Sequence, residues 1–436
     1  MSKYLSITTT ITTTITTTIT ITITAITTTT TITMADHMLD KIFTSTTDPK
    51  EQITKLNNMI NEAVASSMIS QLKVIVTRIL ADDVMQQVMK GTINHLAKSI
   101  KINIEGDLFQ DLASFIITAI KSHSNVLDDA DFILRDNLFN YYISCEQFKE
   151  GAQVLSGLNL ESTSKIYTPQ EKADIYVKCA EACLEDDETV DAEVFVNKAS
   201  IYMNDVIEDI GLQLRYRVTF ARVLDSNRKF VEAAMKYYEL SNTSNVNVNQ
   251  DDLIDLLCKA VTCAVLGKAG PQRTRVLGLL YKDERIRSLE QLPKYTSHAS
   301  ILTKMYTQQL LRADELNSFE ATLAPHQIAL TSDGFTVPQK AVIEHNMVAT
   351  GKIYDDITFT QLGYILRLDA YKAEKVAAKM ISEDRLKATI DQTEGVLLFQ
   401  SDTDGINSWD DSINTLCNEV SNGIDYINQL HINQVN

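Results

Sequence analysis

The chain has 436 residues, enough for two or three domains with cores of their own. Its 40 Lys+Arg stand against 57 Asp+Glu, a net charge of −17, so nucleic acid and anionic membrane surfaces repel it at long range and neither is a favoured general partner. No run of about 18 or more apolar residues occurs and no compact apolar core opens the chain, so neither a membrane span nor a secretory signal is expected.

Residues 1–33 hold 18 Thr and 8 Ile with almost no charge. The Ile spacing drifts from four (Ile11, Ile15, Ile19) to two (Ile19, Ile21, Ile23), so the tract keeps no single period. It is read as a low-complexity disordered extension with β propensity and no partner face. Met34, followed by ADHMLDKIF, is read as the start of the folded protein and as a candidate second initiation site.

Residues 35–320 read as a helical-repeat arm, with helix after helix from about residue 50. Pro is absent between Pro49 and Pro169, which permits long helices there. Thr168-Pro169-Gln170-Glu171 is a complete helix start: Thr168 caps, Pro169 fits the first turn and Glu171 closes a capping box. Small residues recur at Ala113, Ala152, Ala192 and Ala233, 39, 40 and 41 positions apart, and Thr274 extends the series by 41. A period near forty suits stacked helix pairs, in which a small side chain lets two helices approach closely. The expected class is mainly α: a right-handed-type solenoid followed by a winged helix and a last helix. A solenoid presents an extended surface for holding other proteins.

Catalytic patterns are missing. There is no H-E-x-x-H and no G-x-S-x-G, and the seven His (His37, His95, His123, His298, His326, His345, His431) are scattered. Gly267-Lys268-Ala269-Gly270-Pro271 resembles a phosphate loop only superficially, because Ala269 follows the Lys and Thr262 stands where the first Gly belongs. A helix stop at Gly267 and a new helix at Pro271 explain it better. The acidic run Glu185-Asp186-Asp187-Glu188 has no calcium-loop spacing and reads as a solvated turn. Of the six Cys, Cys145, Cys179, Cys183, Cys258, Cys263 and Cys417, only Cys179 and Cys183 share a helix face, and no second pair completes a metal set. Buried free thiols in a reducing compartment are the expectation. No cofactor, metal or catalytic residue is assigned.

Residues 338–400 change period. A first helix runs from Pro338 to about Ala349, and Ile353 to Ile357 is a short strand candidate. Thr358 caps a second helix through Leu366, and Asp369 caps a third with Ala370, Ala373, Val376, Ala377, Met380 and Ile381 inward. Leu386, Ala388 and Ile390 then alternate with polar residues, Asp391 to Gly395 turn the chain, and Val396, Leu397, Leu398 and Phe399 return as a partner strand. This is the order of a winged helix. Lys372, Lys375 and Lys379 form a stripe on the third helix, which a nucleic-acid reader would place in a groove. The module nevertheless carries eight Lys+Arg and nine Asp+Glu over 340–400, so a protein contact is favoured. The expected contact is an apolar, unpaired sheet edge at Val396–Phe399, open to strand addition.

Ser408 to His431 read as a last helix. Trp409, Ile413, Leu416, Val420, Ile424, Ile427 and His431 follow spacings of 4, 3, 4, 4, 3 and 4, the narrow stripe of a bundle helix. The alternative is packing back onto its own domain.

Helical repeats, a winged helix and a terminal helix together resemble the PCI-domain family. The segments AVIEHNMVATGKIYDDITFTQLGYIL (341–366), AEKVAAKMISEDRLKATIDQTEGVLLF (373–399), CAVLGKAGPQRTRVLGLLYKDER (263–285) and RDNLFNYYISCEQFKEGAQVL (135–155) are similar to PCI-domain subunits of the COP9 signalosome. The resemblance covers about 130–430, is weaker over 35–125 and leaves out the Thr/Ile extension. It implies a non-catalytic scaffold in a complex that removes a ubiquitin-like modifier from cullins, with the zinc isopeptidase in another subunit. It implies as partners the other PCI subunits, the catalytic metalloprotease subunit pair and a cullin–RING ligase as substrate, in cytoplasm and nucleus. It also implies a substrate-sensing insertion loop at 324–337, with Pro325, His326, Asp333 and Gly334 as its candidate residues. Composition gives that segment only polar, Gly-containing loop character. The alternatives are the equivalent scaffold of the proteasome lid and a winged-helix nucleic-acid adaptor.

Overall fold

The computed structural model describes residues 37–400, apart from 44–47, 67, 82–83, 104–105, 162–164, 207–208, 244–248, 290–294 and 332, and beyond these residues 409, 412–421 and 424. The Thr/Ile tract, Met34, Ile427 and His431 lie outside the described residues. The chain divides into two units after Val223.

The first unit is built of helices joined by short turns, with no strand among its described residues. A short helix over 37–43 (α1) precedes α2 (Pro49–Ala65), α3 (Ile69–Ile79), α4 (Gln86–Asn103), α5 (Asp107–Ile120), α6 (Ser124–Ser144), α7 (Phe148–Ser156), α8 (Pro169–Glu185) and α9 (Thr189–Met203). The helix α10 (Ile210–Ser226) crosses the division. Local chemistry sets the starts. Asp48 accepts the Lys50 N–H ahead of Pro49 on α2. On α8 Thr168 Oγ1 accepts the Glu171 N–H at 3.2 Å, and the Glu171 carboxylate accepts the Thr168 N–H at 2.9 Å, so both orphan donors of the expected box are satisfied. Apolar residues at helical spacing, such as Leu56, Ile60 and Val64 or Leu112, Ile116 and Ile120, fill a core that runs through α2–α6. A second cluster joins α6–α9 around Leu155, Cys179 and Val196.

The period near forty corresponds to alternate helices. Ala113, Ala152 and Ala192 lie on α5, α7 and α9, and all three are buried. Ion pairs keep the same interval. Lys73–Asp111, Lys149–Glu188, Lys178–Asp136 and Arg215–Asp174 join residues 38, 39, 42 and 41 apart. Such pairs, exposed or, for Lys178–Asp136, half-buried, contribute about 1 kcal/mol each, so they help to select register more than they stabilise.

The second unit continues with α11 (Phe230–Ser241), α12 (Gln250–Leu266), α13 (Pro271–Tyr281), α14 (Glu284–Leu289), α15 (Thr296–Tyr306), α16 (Ala313–Glu320), α17 (Pro325–Ile328) and α18 (Val337–Thr350). Ala233 on α11 is buried and keeps the series. Thr274 does not: it is exposed, and its hydroxyl donates to the Gly270 carbonyl. Pro271 starts α13 in a register that turns Arg273, Val276, Leu277 and Leu280 inward instead. Gly267 ends α12 as expected, with its N–H on the Cys263 carbonyl.

The winged helix comprises α18, β1 (Asp356–Thr358), α19 (Phe359–Leu366), α20 (Ala370–Ser382), β2 (Ala388–Asp391) and β3 (Val396–Phe399). Thr358 caps α19 through the Gln361 N–H, whereas Asp369 holds the N-cap position of α20 without a side-chain hydrogen bond. The turn between α19 and α20 closes on Gly363: a Cβ there would meet the Leu368 carbonyl oxygen at 2.7 Å. Met347, Ile357, Leu362, Ala373, Ala377, Met380 and Leu397 form one core beneath the sheet.

The sheet order is β1-β3-β2, antiparallel throughout. Ile357 faces Leu397 on one side, and Ile390 faces Leu397 on the other. This corrects the expected edge. Val396, Leu397, Leu398 and Phe399 form the central strand, with β1 occupying the side that was read as free. Hydrogen bonds on both flanks leave β3 no backbone groups for strand addition; the edges are β1 and β2.

Candidate interaction surfaces

The segment 324–337 is built rather than loose. Pro325 opens the single turn α17, which places His326 and Gln327 beside the end of α10. Gln327 Nε2 donates to both carboxylate oxygens of Asp225, at 3.1 and 2.9 Å, and His326 Nε2 lies 3.4 Å from Asp225 Oδ2. Leu330 then bridges to Thr336, and Thr331 N–H donates to the Phe335 carbonyl at 2.8 Å. Gly334 supplies the positive φ, 82°, that this tight return needs. Thr336 ends the segment by capping α18 in a box with Gln339. The polar loop read from composition is therefore a helical turn and a small hairpin.

Asp333 anchors the hairpin tip. Its Oδ2 lies 2.5 Å from Lys340 Nζ on α18 and 3.3 Å from Lys379 Nζ on α20. The hydrogen bond from Lys340, then that from Lys379, hold its carboxyl below the ordinary carboxylate range. Lys372 Nζ lies 6.0 Å from the centre of the Phe335 ring. All three stripe lysines are exposed, and two of them, Lys372 and Lys379, face this hairpin. The pairing of Lys379 with Asp333 takes part of the stripe's charge, on a module with no basic surplus, which weighs against the nucleic-acid alternative. Sequence reasoning missed Asp225, Phe335 and Lys340. The Asp333–Lys340 spacing of seven was the one available signal, and nothing local points to Asp225.

On the sheet, Leu397 is fully buried and Val396 and Phe399 are half-buried, while Leu398 is 43% exposed. Of the four, only Leu398 presents substantial apolar surface. Exposed Tyr364 and Tyr371 on α19 and α20 add to the apolar outer surface of the module.

The last helix, α21, is described over 412–421, with Trp409 and Ile424 also helical. Trp409, Ile413, Leu416, Val420 and Ile424 are all exposed, as is every described residue of α21. The expected stripe therefore has no cover among the described residues, which argues against packing back onto its own domain. Ile427 lies outside them.

Cys179 and Cys183, the pair that shares a face of α8, are both buried. Burial pushes the Cys179 thiol up to about 12 and the Cys183 thiol up to about 11, so both stay protonated. Cys258 and Cys263 are buried, and Cys145 and Cys417 are exposed. Among the described residues no group of three or more His, Cys, Asp and Glu is placed to hold a metal ion. Also among them, no helix is long and apolar enough to cross a membrane.

Stacked helices followed by a winged helix with sheet order β1-β3-β2 are the fold of the PCI class. The PCI-domain family model matches residues 302–401, and the model described as PSMD12/CSN4, N-terminal, matches residues 37–249. The COP9 signalosome complex subunit 4 of Arabidopsis thaliana is 34% identical over 395 residues, covering 89% of this chain and 97% of that protein. Those of Dictyostelium discoideum and Drosophila melanogaster are each 36% identical, over 88% of this chain and 95% and 92% of the relatives. The chain belongs to the COP9 signalosome subunit 4 family.

Proposed function

We propose that this chain is a non-catalytic scaffold subunit of the COP9 signalosome, working in cytoplasm and nucleus. In this reading the complex removes the ubiquitin-like modifier from cullins of cullin–RING ligases, and the isopeptidase belongs to its metalloprotease subunit pair. The helical-repeat region helps to hold the cullin–RING substrate. The hairpin at 324–337 senses that substrate and relays its presence to the catalytic pair. The winged helix joins other PCI subunits through an open strand, β1 or β2, and the last helix enters a shared bundle.

The observation that carries the reading is the uncovered stripe Trp409–Ile424 at bundle spacing, on a chain whose relatives are named as signalosome subunits. An apolar helix face of this kind in water calls for a partner. The relatives' names also favour the signalosome over the proteasome lid. A tagged pull-down with mass spectrometry tests it: signalosome subunits and cullins are expected, and recovery of lid subunits or nucleic acid in their place overturns it. Deleting 408–436 is expected to leave a folded chain that no longer co-purifies with those subunits. Normal assembly of the truncated chain refutes the bundle role.

A further inference from the structure

We propose that the last helix is built to pair with an amphipathic helix whose flanks are basic, and is built against pairing with a second copy of this chain. The inference rests on the bundle reading above and adds the chemistry of the partner.

Two independent observations meet here. The first is the stripe: Trp409, Ile413, Leu416, Val420 and Ile424 share one face, and Trp409, Leu416, Val420 and Ile424 are each more than half exposed. The second is charge. No Lys or Arg follows Lys387, while residues 400–436 carry Asp402, Asp404, Asp410, Asp411, Glu419 and Asp425. Exposed Glu419 lies three residues after Leu416 and one before Val420, so helical spacing sets it at the border of the seam.

In helical bundles the apolar seam supplies the association energy, and the flanking charges choose the partner. A second copy brings an acidic segment with Glu419 at the border of its seam against another of the same sign, and like charges so placed disfavour the pair. A helix with Lys or Arg at those flanks meets the opposite sign, and its approach is also steered by the field of a chain of net charge −17. An uncharged amphipathic helix fits the seam but gains nothing from the flanks. One seam thus yields an ordered preference: basic over neutral over acidic, with self-pairing at the bottom.

Trp409 is the only tryptophan in the chain, so emission of the full-length protein excited at the red edge of the tryptophan band, where its tyrosines do not absorb, reports on this helix. The probes are two tryptophan-free synthetic helical peptides with the same apolar seam, one flanked by lysine and one by glutamate. The lysine peptide is expected to shift Trp409 emission to the blue and to bind about tenfold tighter or better, with the advantage shrinking as salt is raised. Glu419→Lys combined with Asp410→Lys is expected to reverse the preference, and Leu416→Glu to abolish binding of both peptides. Equal binding of the two peptides, or a preference for glutamate, overturns the charge proposal and leaves the bundle reading standing. Concentration-dependent self-association through the stripe at neutral pH also overturns it. No shift with either peptide removes both.

Discussion

Glu344 and Arg385 form a two-point ion pair in the interior: Arg385 Nη2 donates to Glu344 Oε1 at 3.1 Å, and Nη1 donates to Oε2. Glu344 also accepts the Ala269 N–H at 3.2 Å. One carboxylate on α18 therefore ties the α12–α13 turn to the turn before β2. Arg273, nearly fully buried, adds a second cation, and burial holds its guanidinium down to about 10.

Glu344→Gln is expected to destabilise by up to about 3 kcal/mol, because the half-buried Arg385 then keeps only the more exposed Glu383, 2.7 Å from its Nε, as counter-charge. Changing both residues to Met or Leu is expected to cost markedly less, since neither charge then remains at the pair. Urea unfolding of the single and double variants measures the difference.

Acid is expected to loosen the second unit before its carboxylates titrate. Burial lowers both His298 and His345 to about 4, from an ordinary 6.5. For His345 the nearby Arg273 charge adds to this, against a hydrogen bond with the Gln309 carbonyl. Both stay neutral in the folded chain while the unfolded chain takes up protons. Their stabilising contribution is complete above about pH 6.5 and falls as the pH drops toward 4, by up to about 3 kcal/mol each. Unfolding followed from pH 7 to 4 is expected to flatten in a His298→Phe variant, which keeps an aromatic ring beside Phe319.

The central strand separates burial from exposure within two residues. Leu397→Ala is expected to cost about 2–5 kcal/mol and Leu398→Ala less than about 1 kcal/mol. Thermal unfolding distinguishes them, and equal losses contradict the inward placement of Leu397 and the outward placement of Leu398.

Asp333→Asn is expected to free the hairpin tip with little loss of stability, under about 1 kcal/mol, because its partners are solvent-accessible lysines. Amide exchange at Phe335 and its neighbours is expected to quicken while the Gln327–Asp225 contacts keep residues 325–328 protected. Unchanged exchange at the tip refutes the anchoring role of Asp333.

Thr168→Ala removes one half of the α8 capping box and is expected to cost about 1 kcal/mol. The loss is measured on the first unit by denaturant unfolding, with Glu171→Ala as the matching variant.

Much of the fold was legible because its signals lie within a turn or two of chain. The Thr168 box, the stop at Gly267, the inner face of α20 and the alanine interval from Ala113 to Ala233 are patterns of spacing, and spacing fixes which side of a helix is apolar. The interval failed at Thr274, where Pro271 reset the register and Arg273 took the inward position. The apolar spacing from Trp409 to Ile424 was legible for the same reason as the caps, whereas its exposure was not.

Periodicity, capping chemistry and charge thus pointed in advance to an acidic helical chain with a winged helix and an apolar stripe near its end, and left open what covers that stripe. Strand order was a different matter. Val396–Phe399 are apolar whether they lie at an edge or in the centre, and only the return of Asp356–Thr358 to their far side decides between the two. The same holds for Asp333 with Lys379, 46 residues apart, and Gln327 with Asp225, 102 apart. Such contacts depend on where distant segments arrive, and no local propensity encodes an arrival.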